Sequence, residues 1–197
     1  MGQLNMVKSP VLVDVDDVMC NLRPMLCEAL CIASGKDIHF SEWTHSRLND
    51  TYEISHAHFV QAMLNHKILE RSEPEDDALE ALQTLREHGH PVILVTKRGW
   101  HPNGESITKQ WLVKHNLPYD ILRVVPFEGS KLDAYKTFDT EFVTLIDDQP
   151  SNLDEARASG IVHNTHLIDR PWNKTNSDHS RYSSLVYAVD NIVGRVV

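Results

Sequence analysis

The sequence is poor in the features that mark several protein classes. Of 197 residues only three are cysteine, Cys20, Cys27 and Cys31. They fall within twelve residues at helical spacing and form no C-x-x-C pair. That argues against a disulfide framework and against a thiolate zinc site, and leaves small apolar residues buried on one helix. No apolar run approaches the roughly 18–20 residues that cross a bilayer, so no membrane partner is expected. No secretory leader is visible, so the expected compartment is the cytoplasm. The acceptor-like triplets Asn49-Asp50-Thr51 and Asn173-Lys174-Thr175 then carry no weight. Basic residues are in deficit, with 19 Lys and Arg against 28 Asp and Glu and a net charge of −9. This counts against tight, nonspecific binding to a nucleic-acid backbone. It leaves room for a small anionic substrate held by a metal and one or two lysines. There is no internal repeat and no low-complexity tract.

What remains is an ordinary globular composition, 41% hydrophobic and 24% charged. The length suits one domain, or a core carrying a subdomain. The organising stretch is Val11-Leu12-Val13-Asp14-Val15-Asp16-Asp17-Val18. A short, β-branched apolar run reads as a buried strand of a parallel sheet, here over 10–18. Ionised carboxylates avoid the core unless paired, and a divalent cation would pair them. In open α/β sheets the carboxyl end of a strand is also where ligands bind. An acidic loop capping the next helix is the plainer alternative.

The rest of the chain follows a strand–helix rhythm. A helix is expected at 23–34, with Pro24 in its first turn and Gly35 closing it. Residues 36–75 contain no buried-strand pattern and read as short helices, one entered at Ser55 with Phe59, Ala62, Met63 and His66 on one face. His56 and His58 read as solvated. So much helix between two strands exceeds a simple crossover and reads as an inserted cap. Pro74 is expected to start an amphipathic helix running to Gly89. Val92 to Thr96 reads as a second buried strand, followed by a turn-rich basic loop, 97–104. A helix over 106–115, a strand over 121–125 and a short helix capped by Ser130 and running to Phe138 come next. Phe142-Val143-Thr144-Leu145-Ile146-Asp147-Asp148 repeats the opening design of a buried strand delivering two acids. A helix over 152–159, a last strand over 161–168, a polar mobile stretch over 173–180 and a closing helix over 182–193 complete the reading. The alternation predicts an α/β fold with a doubly wound parallel sheet. Its core is expected over 1–19 and 76–197, with a small helical cap over 20–75 inserted after strand one.

Asp14 and Asp16, Thr96, Lys131, and Asp147 with Asp148 all fall at strand ends or adjoining turns. Oxygen donors of this kind suit Mg²⁺, while Thr and Lys suit phosphate oxygens. That inventory describes a phosphoryl-transfer site. In this order the residues resemble the four motifs of the haloacid dehalogenase superfamily of phosphatases. The resemblance implies Asp14 as nucleophile, Asp16 as general acid/base, and Thr96 and Lys131 on the phosphoryl group. It also implies Mg²⁺ held by Asp14, the Asp16 backbone carbonyl and Asp147, with Asp148 in support. The response-regulator receiver uses similar residue types in a different order.

The inserted helices, the Trp43 region, Leu145 to Asn152 and Asp169-Arg170-Pro171-Trp172-Asn173 further resemble the 5′(3′)-deoxyribonucleotidase family, which dephosphorylates nucleoside monophosphates. Two departures stand out. Asp17 occupies a position where the family usually has Gly. Lys97-Arg98 stands in place of Ser-Pro, which suggests a more cationic rim for the substrate, Lys97 on the phosphate included. Lys109, placed near a helix start, competes with the favoured Lys131 for the phosphate. Phe40, Trp43, His45, Arg98 and Trp100 are the candidates for substrate selection, each with packing or simple exposure as the alternative. Trp172 reads as a packing residue. A Mg²⁺-dependent phosphatase for a small nucleotide substrate is therefore the leading expectation. Other small phosphate esters, a nucleic-acid 3′-phosphate or a catalytically idle nucleotide-binding module are the alternatives. Oligomeric state is left open, a homodimer included.

Overall fold

The computed structural model describes residues 8–138, 142–174 and 177–195. The first strand, β1 (Val11–Val13), is completely buried. It ends sooner than the sequence suggests. Asp17 adopts the left-handed conformation, φ 59°. Its amide donates to Cys20 O at 2.8 Å, which turns the chain out of the sheet directly after the acids. Cys20 therefore sits in a two-residue strand, β2 (Cys20–Asn21), and not on the following helix with Cys27 and Cys31. All three thiols are free.

Four helices follow: α1 (Arg23–Ser34), α2 (Leu48–Thr51), α3 (His56–Asn65) and α4 (Ile68–Arg71). Gly35 closes α1 at φ 71°, and the Ser55 hydroxyl caps α3 by accepting from the His58 amide. The chain returns through β3 (Glu73–Pro74), antiparallel to β2. Pro74 thus sits in an edge strand, where a missing N–H is tolerated, and does not open a helix. The helix α5 (Ala78–Glu87) begins four residues later.

The remaining elements are β4 (Val92–Thr96), α6 (Gly104–Lys114), β5 (Ile121–Val124), α7 (Lys131–Tyr135), β6 (Phe142–Asp147), α8 (Pro150–Ala158), β7 (Val162–Ile168), β8 (Ser180–Tyr182) and α9 (Leu185–Val193). The strand over 161–168 is not the last. Residues 180–182, expected to lie in or next to a polar mobile stretch, form β8 on the sheet edge, parallel to β7. Residues 175 and 176 of that stretch lie outside the described residues.

Six strands form one sheet in the order β5-β4-β1-β6-β7-β8, every pair parallel. The chain builds outward from β1 through β4 to β5, then crosses back to β6. The crevice beside β1 is therefore a topological switch point, where ligands bind at the carboxyl ends of strands. Val13 is in register with Leu94 on one side and Ile146 on the other, so β1, β4 and β6 end together. Alternate residues face opposite layers. Val11, Val13, Leu94 and Ile146 join one apolar cluster, while Leu12, Ile93 and Leu145 join the other. The first cluster continues without a break into α1, α3 and α4. Trp111 of α6 reinforces that joint by donating its indole N–H to Ser72 O at 2.7 Å.

Candidate active site

The turn after β1 delivers Asp14, whose amide is held by Ile146 O at 3.0 Å. Ser130 caps α7 by accepting from the Leu132 amide, which sets Lys131 as its first residue. The Lys131 ammonium lies 2.7 Å from Asp14 Oδ1 and 2.8 Å from Asp147 Oδ2. Burial alone would lower its pKa, but the two carboxylates overcome that and raise it well above the usual lysine value. Asp147, at the end of β6, also accepts from the Gln149 amide at 2.8 Å and from Asn152 Nδ2 at 3.0 Å. Asp148 is held by neutral donors, Trp172 Nε1 at 2.8 Å and Gln149 Nε2 at 2.9 Å.

Oxygens of Asp14, Asp147 and Asp148 lie within 4.8 Å of one another, and all three residues are buried. Burial, together with the neighbouring carboxylates, raises the Asp14 pKa well above normal. Burial first, and Asp147 next, push Asp148 up to about 8. Three crowded carboxylates have one ammonium beside them, in contact with Asp14 and Asp147, so the cluster is short of positive charge. A hard divalent cation fits that deficit and these oxygen donors. The residues that would hold it are Asp14, Asp147 and Asp148.

Asp16 behaves differently. Its carboxylate faces Arg98 and accepts from the Thr96 hydroxyl at 3.3 Å, and its side chain is not among those three. Arg98 itself is completely buried, so it does not form the cationic rim expected of it. Asp17 turns toward the joint with the helices. It pairs with Arg23 at 3.2 Å, and Arg23 and Arg170 both reach Glu75, at 2.7 and 2.9 Å. Burial raises Asp17 to about 7.

A cleft of about 630 Å³ is lined by Asp17 and by Gln149, Asn152 and Trp172, the hydrogen-bond partners of Asp147 and Asp148. Trp43, Phe59, Phe127 and Trp172 supply aromatic surface, Asn49, Gln149 and Asn152 amides, and Arg47 and Lys97 positive charge. Of the expected substrate-selecting residues, Trp43 lines the cleft, almost fully buried, with its indole N–H on Tyr52 Oη at 3.1 Å. Phe40 packs edge-on against Trp43, Trp100 is half-buried against the core, and His45 is exposed. None of these three is among the cleft-lining residues. Lys109 is exposed on α6 and paired with Glu105 at 2.5 Å, while Lys131 is in the cluster. His56, read as solvated, is exposed but lines the cleft, its ring 5.1 Å from Phe127.

Sequence reasoning missed Gln149, Asn152 and Asn173 as partners of the acids. A signal existed in Gln149-Pro150-Ser151-Asn152, where a proline at a helix start places an amide one turn behind two aspartates. A second cavity, about 720 Å³, lies at the opposite end of the sheet and is lined by Lys8, His90, Arg157 and His166 among others. Neither cavity is lined by the clustered acids themselves, but only the first is lined by their partners Gln149, Asn152 and Trp172.

No family model matches the sequence, and no curated protein matches it at sequence level. Solved structures do match. A predicted phosphatase from Clostridium acetobutylicum aligns with a TM-score of 0.69 at 12% identity, covering 96% of this chain and all of that one. A haloacid dehalogenase-like family hydrolase from Streptococcus pneumoniae aligns at 0.64 and 10% identity, covering 93% of this chain and 98% of that one. The chain adopts the haloacid dehalogenase-like fold. The D,D-heptose 1,7-bisphosphate phosphatase of Burkholderia thailandensis shares this fold at a TM-score of 0.57 and 13% identity, covering 94% and 99% of the two chains. In this fold the acids, Thr96 and Lys131 occupy one edge of the sheet, at its switch point.

Proposed function

We propose that this haloacid dehalogenase-like chain is a Mg²⁺-dependent phosphomonoesterase that hydrolyses nucleoside monophosphates through an aspartyl-phosphate on Asp14. One observation carries the reading: Asp14, Lys131, Asp147 and Asp148 converge in a buried cluster at the carboxyl edge of the sheet. A bound divalent cation would neutralise charge on the phosphoryl oxygens. The Asp14 carboxylate attacks phosphorus and forms the phospho-enzyme bond as the ester oxygen departs. Asp16 gives the departing alkoxide its proton, then takes one from the water that hydrolyses the phosphoaspartate. Lys131 steadies the carboxylates and presents positive charge to the phosphoryl group, and Thr96 anchors Asp16 from β4. Residues 20–75 act as the substrate-selecting insertion.

The nucleotide assignment is supported by the cleft. Aromatic faces beside amides and cations suit a base, a sugar and a phosphate, and the volume lies within the roughly 300–1,000 Å³ of small-molecule sites. The test is phosphate release from ribo- and deoxynucleoside 5′- and 3′-monophosphates, sugar phosphates and a 3′-phosphorylated oligonucleotide, with Mg²⁺ and with EDTA. Preference for nucleoside monophosphates, abolished by EDTA, is expected. Turnover of sugar phosphates alone would overturn the substrate class. Release from none of them would overturn the enzyme reading.

A further inference from the structure

Arg98 is the most tightly built contact that the site chemistry above does not use. Its Nε lies 3.0 Å and 3.1 Å from the two Asp16 oxygens, and its Nη2 lies 2.6 Å from Oδ1. The guanidinium is itself anchored from behind. Its Nη1 donates to Thr108 Oγ1 at 3.2 Å, and the Thr108 hydroxyl donates to Gly104 O at 2.7 Å. The Trp111 ring lies 5.6 Å from the guanidinium carbon.

The loop carrying Arg98 has little freedom. An added Cβ at Gly104 would stand 2.2 Å from Arg98 O, and one at Gly99 would stand 2.6 Å from Val125 O. The loop therefore packs where only glycine fits at both places. Arg98 is 0% exposed at its side chain, whereas the Asp16 side chain is 24% exposed and reaches the site edge. A buried ion pair is a poor source of net stability, because desolvation offsets the attraction. Its value lies in geometry: a planar fork fixes the orientation of the carboxylate it grips.

We infer that Arg98 is the positioning residue for Asp16, and that through this grip it sets how well the site expels poor leaving groups. The inference rests on the reading of Asp16 as proton donor. Arg98 touches neither substrate nor reacting atoms; it acts through Asp16.

The experiment compares an alkyl ester, a deoxynucleoside 5′-monophosphate, with p-nitrophenyl phosphate, whose leaving group needs little protonation. Arg98→Met should lower kcat on the alkyl ester about 100-fold with little change in KM, since a misplaced reacting group costs about that much. On p-nitrophenyl phosphate the pre-steady-state burst of nitrophenol, which precedes the water step that also uses Asp16, should keep its wild-type rate. Adding Arg98→Met to Asp16→Asn should cost nothing further, because once the carboxyl group is gone there is nothing left to position. Arg98→Lys, lacking the fork, should fall in between, and it carries the comparison if Arg98→Met does not fold. An equal loss in the nitrophenol burst rate, additive losses, or a gain on the alkyl ester would overturn the inference. A second readout needs no turnover. The Arg98 Nε–H should give a slowly exchanging NMR resonance that loses protection in Asp16→Ala. Its absence from the wild type overturns the grip even where no substrate is turned over, so this failure and failure of the functional reading are distinct.

Discussion

The acids at the sheet edge meet three kinds of neighbour, and the neighbours divide the work. Asp14 shares an ammonium with Asp147, Asp148 faces an indole N–H, and Asp16 faces a guanidinium. Asp14→Asn should keep the fold and lose at least about a thousandfold in turnover, as removal of a nucleophile typically does. Circular dichroism and phosphate release check both halves. Trp172→Phe removes the hydrogen bond to Asp148 while keeping an aromatic ring. If Asp148 supports the ion, this change should weaken metal activation about 10- to 100-fold, read from the Mg²⁺ concentration that gives half-maximal activity. An unchanged Mg²⁺ dependence would return Trp172 to a purely packing role.

At the scale of elements, short segments place these groups. One turn of α7 sets Lys131, and the turn into α8 sets Gln149 and Asn152 against Asp147. The start of α6 sets Arg98. Gly104→Ala would press a methyl group onto Arg98 O, 2.2 Å away, so the helix start or the loop must shift. The expected cost is about 1–3 kcal/mol, the usual range for overpacking, measured by urea denaturation. A loss of activity beyond the loss of folded protein would follow if the displaced loop loosens Asp16. The strands delivering the acids were legible in the sequence, because an apolar run followed by carboxylates is rare. The position of Pro74 was not. An amphipathic pattern after a proline looks the same whether the proline opens the helix or pairs with β2 a turn earlier.

For the whole molecule, the parallel sheet buries a histidine far from the acids. His166 on β7 is 5% exposed and stacks on Tyr182 at 5.1 Å, and its Nδ1 has no partner among the described residues. Burial lowers its pKa from 6.5 to about 4. The unfolded chain therefore binds this proton more readily than the folded one. Stability from this group is complete above about pH 6.5 and is lost as pH falls toward 4, by about 3 kcal/mol at most. His166→Phe should flatten the melting temperature over that window relative to wild type; an unaltered slope would show that other groups carry the acid sensitivity. If the acid cluster holds a divalent ion in the folded state only, Mg²⁺ should also raise the melting temperature, and Asp147→Asn should abolish that shift. Among the described residues no helix is long and apolar enough to cross a membrane.

The sequence by itself determined which residues are strands with acidic ends, and hence the parallel α/β class. It determined the order of Asp14, Thr96, Lys131 and Asp147 as well, because hydrophobic periodicity and strand-end chemistry are local properties. The tertiary structure decided the rest. It chose Lys131 over Lys109 for the cluster, because only the first residue of α7 comes within reach of β1 and β6. It moved Arg98 from an expected rim to a buried grip on Asp16, because the loop after β4 folds back under the start of α6. Sequence reports what a side chain can offer; which partner it meets depends on how distant strands are brought into register.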